Sequence, residues 1–255
     1  MKFIFILLPV LLLSACSTSG GKGADAQQQG PADPQESARI HTELAAVYYG
    51  QQQYAVALDE LKSALSMNSK YAPAYGVRGL IYMALLEDKK AAEDFERSLD
   101  LDGSDSGTRN NYGWFLCQRG REKESMAQFM AAVKNPLYTT PEKAYLNAGL
   151  CSKKSGKIND AETYLKTALT IQPRMTEALL GMAELSFAKA DYAGAKSYFL
   201  RISRNGVELS AADLLLAARV ERKLGDKNAE ASYKLQLRKR FPESRETQLM
   251  LSGER

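Results

Sequence analysis

Tyr75-Gly76-Val77-Arg78-Gly79-Leu80-Ile81-Tyr82, with Ala91 and Phe95 twelve and sixteen residues after Gly79, is the stretch on which the fold turns. Its spacing recurs along the chain. Small residues stand at Ala57, Ala91, Ser125, Ala161, Ala195 and Ala229, at intervals of 34, 34, 36, 34 and 34. Four residues after each comes a large one: Leu61, Phe95, Phe129, Leu165, Phe199 and Tyr233. Twelve residues before each is another small one: Ala45, Gly79, Gly113, Gly149, Ala183 and Ala217. Small side chains let two helices approach closely, and the large residue one turn on fills the neighbouring groove. Such a pair of helices buries its apolar face only against the next pair, so the period predicts an all-α stack.

Paired helices are expected at 38–50 and 54–67, 72–84 and 88–100, and 106–118 and 122–133. The series continues at 142–154 and 158–170, 176–188 and 192–203, and 210–223 and 227–240. Gly120, Gly156 and Gly225 fit the turns between partners, and Asn135-Pro136 to Pro141 absorbs the one 36-residue interval. The last unit is imperfect, because Gly225 and Pro242 want a frame one residue later than Ala217, Ala229 and Tyr233. The pattern resembles the tetratricopeptide repeat, W-x₂-L-G-x₂-Y…A-x₃-F…P, with Pro173 as a closing proline. The resemblance implies a right-handed solenoid of about six repeats over 38–242. They fall near 38–71, 72–105, 106–141, 142–175, 176–209 and 210–242, with 243–255 as a C-terminal tail.

The composition narrows the chemistry. The chain has 255 residues, 45% hydrophobic and 25% charged, with a net charge of +4. No basic stripe of the kind nucleic-acid binders carry is present. A single histidine, His41, and three cysteines without a C-x-x-C pair leave no material for the usual zinc sites. No carboxylate pair, glycine-rich phosphate loop or nucleophile motif is found. The expectation is a protein without enzymatic activity, cofactor or small-molecule substrate, in which His41 is a core or edge residue. Between Arg201 and Arg245 there are 11 basic and 6 acidic residues. That excess reads as a solvated face of the terminal repeat, with a phosphate- or lipid-binding patch as the alternative.

The N-terminus carries an address. Lys2 precedes an apolar run from Phe3 to Leu13, far shorter than the roughly 20 residues a spanning helix needs. It reads as a signal peptide, 1–15. Leu13-Ser14-Ala15-Cys16 resembles the lipobox of bacterial lipoproteins, which implies cleavage before Cys16 and acylation of its thiol. Ser17, in place of an aspartate, implies sorting to the outer membrane, with the folded part facing the periplasm. Residues 16–37 are rich in Gly, Ser, Gln, Pro and Ala and read as a flexible tether.

Function would then live on the face lined by the first helix of each repeat. Family positions place Ala46, Tyr49, Leu80, Met83 and Trp114 there, an apolar track with Thr42 and Asn110 as its polar members. Such a track suits an amphipathic or extended peptide, though a frame error of one residue would turn Leu80 and Trp114 into the core. The same face in repeats four and five is more polar, with Lys143, Leu146, Lys153, Lys154, Glu177, Leu180, Glu184 and Phe187. Cys117 and Cys151 lie one repeat apart on consecutive first helices. In an oxidising compartment they are expected to form a disulfide, the alternative being two separately buried small side chains.

A lipoprotein tether followed by six tetratricopeptide repeats resembles the pilotin family of the type IV pilus secretin, PilF/PilW. Asn110-Asn111-Tyr112-Gly113-Trp114-Phe115-Leu116-Cys117 and Asn147-Ala148-Gly149-Leu150-Cys151 carry the cysteine-bearing part of the likeness. The resemblance implies binding of secretin subunits, help with their outer-membrane localisation and multimer assembly, and hence pilus biogenesis and twitching motility. The rival reading is a repeat lipoprotein that serves as a scaffold for β-barrel assembly or peptidoglycan enzymes.

Overall fold

The structure, a computed structural model, describes residues 33–253. The expectations for 1–15, for Cys16 and Ser17, and for the tether as far as 32 lie outside the described residues.

Among the described residues there are thirteen α-helices and no strand. The first six are α1 (Pro34–Gly50), α2 (Tyr54–Met67), α3 (Ala72–Ala84), α4 (Asp88–Leu101), α5 (Ser106–Gln118) and α6 (Glu122–Lys134). They are followed by α7 (Pro141–Lys154), α8 (Ile158–Ile171), α9 (Thr176–Ala188), α10 (Tyr192–Arg204), α11 (Ala211–Leu224) and α12 (Lys227–Arg240). A last helix, α13, spans Arg245–Ser252. The first twelve form six helix–turn–helix pairs, and each first helix also packs against the first helix of the next pair. The fold is an all-α tetratricopeptide-repeat solenoid.

Every pair turns in the same way. One residue per turn is left-handed: Gln52 (φ 60°), Leu86 (60°), Gly120 (75°), Gly156 (75°), Ala190 (62°) and Gly225 (78°). The next residue donates its N–H back across the turn, as Glu87 does to Tyr82 O (2.9 Å) and Lys157 to Ser152 O (2.8 Å). These bonds satisfy carbonyls that the helix end would otherwise leave open.

The small and large residues of the period meet within each pair. A Cβ on Gly113 would lie 2.7 Å from Phe129 Cε1, and one on Gly149 would lie 2.7 Å from Leu165 Cγ. Glycine is required there because the facing ring or isobutyl group occupies the space of any side chain. Ala57, Leu61, Ala91, Phe95, Ser125, Phe129, Ala161, Leu165, Ala195 and Phe199 are all buried. Polar side chains tie the pairs further. Arg78 donates two bonds of 2.7 Å to the buried Asp94, and Tyr112 donates to Glu96 at 2.7 Å. Burial, more than that carboxylate, pushes the Tyr112 phenol up.

Three expectations need correction. The tether is shorter than 16–37, because 34–37 already belong to α1. Pro34 suits a first helical turn, where its missing N–H costs nothing, and Glu36 is paired with Arg39 at 2.5 Å. Next, 243–255 contains α13. Its Thr247 is buried, donates to Phe241 O (2.7 Å) and gives its N–H to Ser244 Oγ (3.1 Å). Leu249 and Met250 pack with Leu214, Leu215, Leu237 and Phe241. An eight-residue helix has too little length to be stable alone, so its formation depends on this docking.

The third correction concerns the sixth repeat. Ala229 and Tyr233 are only half-buried, unlike their counterparts. Thr176 opens α9 and Ala211 opens α11, 35 residues later. The buried set Leu179, Met182, Ala183, Leu185 and Ser186 accordingly recurs as Leu214, Ala217, Ala218, Val220 and Glu221. In this frame Glu230 and Lys234 take the places of Ala195 and Phe199, and they pair with each other at 2.5 Å. Charged anchors are tolerated because, among the described residues, no further repeat packs on that side.

Candidate functional site

The first helices carry the residues singled out from sequence, and their local packing decides what each presents. Ala46 is exposed, whereas Tyr49, Leu80, Met83 and Trp114 are half-buried. Leu80 and Met83 lean on Ala91, Phe95, Tyr112, Phe115 and Leu116. Trp114 leans on Cys117, Phe129, Ala148 and Cys151, and Tyr49 on the Ala45, Ala57 and Leu61 cluster. The four half-buried residues thus rest on three separate cores, each showing an edge of the side chain to solvent. His41 sits at the margin of the first pair, where its Nδ1 lies 2.6 Å from Glu60 Oε2.

Further along, the same face is joined by side-chain bonds between consecutive first helices. Asn147 donates to Asn110 at 3.0 Å, Lys154 donates to Gln118 at 3.1 Å, and Lys153 pairs with Glu184. Cys117 and Cys151 are joined as a disulfide with Cα atoms 5.9 Å apart, both side chains buried. Ser125 supports the seam by donating to Gly113 O at 2.7 Å.

Two features escaped the sequence. The first is a stripe on α1: Ile40, Leu44 and Val47 are 45%, 42% and 56% exposed. Two to four repeats later the matching positions are covered. Thr108, Tyr112 and Phe115 are buried, as are Ala144, Ala148 and Cys151, and then Ala178, Met182 and Leu185. Each is covered by the preceding repeat, which α1 lacks among the described residues. The signal was available, since the period itself says which α1 positions stand where later repeats pack.

The second feature lies at the other end. Phe187 of α9 and Arg219, Arg222 and Lys223 of α11 line a cleft of about 330 Å³. A larger groove of about 600 Å³ lies between α10 and α12, with Phe199, Leu200, Val207 and Tyr233 among its walls. The amine on its rim, Lys196, is held by Glu221 (2.8 Å) and Asp226 (3.3 Å). Those carboxylates, Glu221 first, raise its pKa above the usual lysine value and favour the protonated amine.

Two stretches of the chain, 72–105 and 153–218, match the tetratricopeptide repeat family. The crystal structure of PilW, a widely conserved type IV pilus biogenesis factor, is 37% identical with a TM-score of 0.77, covering 84% of this chain and 98% of that one. This chain belongs to the PilF/PilW family. The type IV pilus assembly protein PilF of Pseudomonas aeruginosa is 28% identical over 243 residues, 95% of either chain. A solved structure of that PilF has a TM-score of 0.78 at 26% identity, covering 87% of this chain and 99% of that one. Family membership covers nearly the full length, so the PilF/PilW relationship applies to the array as a whole rather than to a single shared repeat.

Proposed function

We propose that this chain is a non-enzymatic outer-membrane lipoprotein that binds type IV pilus secretin subunits and assists their localisation and multimer assembly. It would thereby support pilus biogenesis and twitching motility. The observation that carries a binding role is the apolar surface of the first helices: the exposed stripe Ile40, Leu44 and Val47 with Ala46 and Tyr49 on α1, and the half-buried Leu80, Met83 and Trp114 on α3 and α5. An exposed apolar surface flanked by polar residues suits an amphipathic partner segment. Membership of the PilF/PilW family directs that role to the pilus machinery.

Deletion of the gene is expected to abolish detergent-resistant secretin multimers while porin assembly continues. Multimers that persist while porins fail would replace this reading with the β-barrel scaffold.

The docking face is tested by Val47→Glu and Leu80→Glu. A charge buried unpaired at a central anchor is expected to weaken capture of the secretin by at least ~30-fold. Val47 is the cleaner probe, since an exposed position loses no core packing, whereas Leu80→Glu requires circular dichroism to show the fold intact. Undiminished capture by both folded variants would place the partner elsewhere.

The anchor rests on Leu13-Ser14-Ala15-Cys16. Cys16→Ala should eliminate labelling by a fatty-acid probe, and Ser17→Asp should shift the protein to the inner membrane. Labelling that survives Cys16→Ala would end the lipoprotein assignment.

A further inference from the structure

We propose that the sixth repeat carries a second docking site, a cationic cleft that holds the carboxylates of an acidic peptide segment against an aromatic wall. Arg219, Arg222 and Lys223 stand at spacings of three and four on α11, so they share one side of that helix. Phe187 of α9 closes the cleft, its ring held 5.5 Å from that of Tyr192.

The 35-residue step into α11 puts these residues on the docking face already described. Arg219 follows Glu184 in the column that begins Ala46, Leu80 and Trp114. Arg222 follows Phe187 in the column that begins Tyr49 and Met83. One face of the array is therefore apolar in repeats one to three and cationic in repeat six.

The surrounding carboxylates do not neutralise it. Glu184 is engaged by Lys153 of α7, and Glu221, on the buried side of α11, is engaged by Lys196. Glu230 of α12 takes the Arg222 Nε at 2.9 Å but also pairs with Lys234. Among the described residues, the Arg219 and Lys223 side chains have no ion-pair or hydrogen-bond partner. Much of the basic excess seen between Arg201 and Arg245 is thus gathered at a cleft with unspent donors.

Guanidinium groups bind carboxylates through paired, charge-assisted bonds, and Phe187 offers an apolar surface to a neighbouring side chain. A peptide suits this geometry better than a bilayer does. A lipid headgroup layer is met by cations alone, whereas these stand beside the Phe187 ring in an inter-helix cleft of side-chain dimensions. The site extends the docking role proposed above and shares none of the residues of the apolar track.

The test uses the full-length protein in non-ionic detergent. The probe is a short fluorescein-labelled peptide with alternating leucines and a C-terminal run of glutamates, compared with its glutamine counterpart. Fluorescence anisotropy is expected to show the glutamate peptide bound more tightly, with a steep salt dependence. Arg219→Glu/Lys223→Glu should weaken it by about tenfold or more. Arg204→Glu/Lys239→Glu, which changes the net charge equally at two exposed sites elsewhere, should cost less than about twofold.

Equal binding of the two peptides, or equal losses in the two double variants, would overturn the proposal. So would loss of flotation with phosphatidylglycerol vesicles in Arg219→Glu/Lys223→Glu while peptide affinity stays intact, which would make the cleft a lipid site. Val47→Glu on the same probe separates the two readings. If it alone weakens binding, the cleft falls and the apolar track stands; if only the cleft variant weakens binding, the reverse holds.

Discussion

Phe129→Ala is expected to destabilise the array by about 3–5 kcal/mol, and Gly113→Ala by about 1–3 kcal/mol. Together they should cost less than the sum. Phe129 is fully buried, and its removal leaves a cavity beneath the Cys117–Cys151 seam. The methyl added by Gly113→Ala would lie 2.7 Å from the Phe129 ring, so alone it overpacks the site. In the double variant that methyl enters space the ring has vacated, and the clash disappears. Guanidinium denaturation of the four proteins, followed by circular dichroism, measures the coupling. Additivity within about 0.5 kcal/mol would mean that the glycine is not there to admit the ring.

Reduction of the Cys117–Cys151 bond, or the double replacement Cys117→Ala/Cys151→Ala, is expected to cost roughly 3–4 kcal/mol on the chain-entropy account, for a closed loop of this length. The two residues are 34 apart in sequence. The form of the loss matters as much as its size. In a linear array each repeat touches only its neighbours, and the bond joins repeat three to repeat four. Without it the unfolding transition should broaden as the two halves lose cooperativity. Denaturation with and without reductant checks this, alongside a thiol assay on protein taken from the periplasm. Free thiols in that protein, or identical midpoints in the two conditions, would remove the bond from any account of the array's stability.

What could be read without coordinates follows from how local the contacts are. Gly113 and Phe129 are sixteen residues apart, and the turn between their helices is closed by Gly120 and the bond from Arg121 N to Leu116 O (2.9 Å). A hairpin of helices brings such residues together whatever the rest of the chain does, so the spacing alone announced them. The same locality made six pairs visible and placed Cys117 and Cys151 on consecutive first helices. Gly225 was legible too, because a left-handed turn position selects glycine directly. The apolar stripe of α1 was hidden only in appearance. Ile40, Leu44 and Val47 look like ordinary core residues until it is noticed that, among the described residues, no repeat precedes them.

The sixth repeat belongs to tertiary structure. Ala217, Ala229 and Tyr233 continue the 34-residue pattern, and by that count Arg219 would take the place of the buried Leu185. The structure instead inserts one residue before α11, and one residue turns a helix by about 100°. Arg219 then leaves the core column and joins Arg222, Lys223 and Phe187 at the cleft. Val220 and Glu221 are buried in exchange. Ala217, Ala229 and Tyr233 favour the earlier frame and Gly225 and Pro242 the later one, so the pattern does not choose between them. The choice rests on which frame buries Leu214, Leu237 and the apolar side of α13, contacts that exist only once the array has closed on its own end.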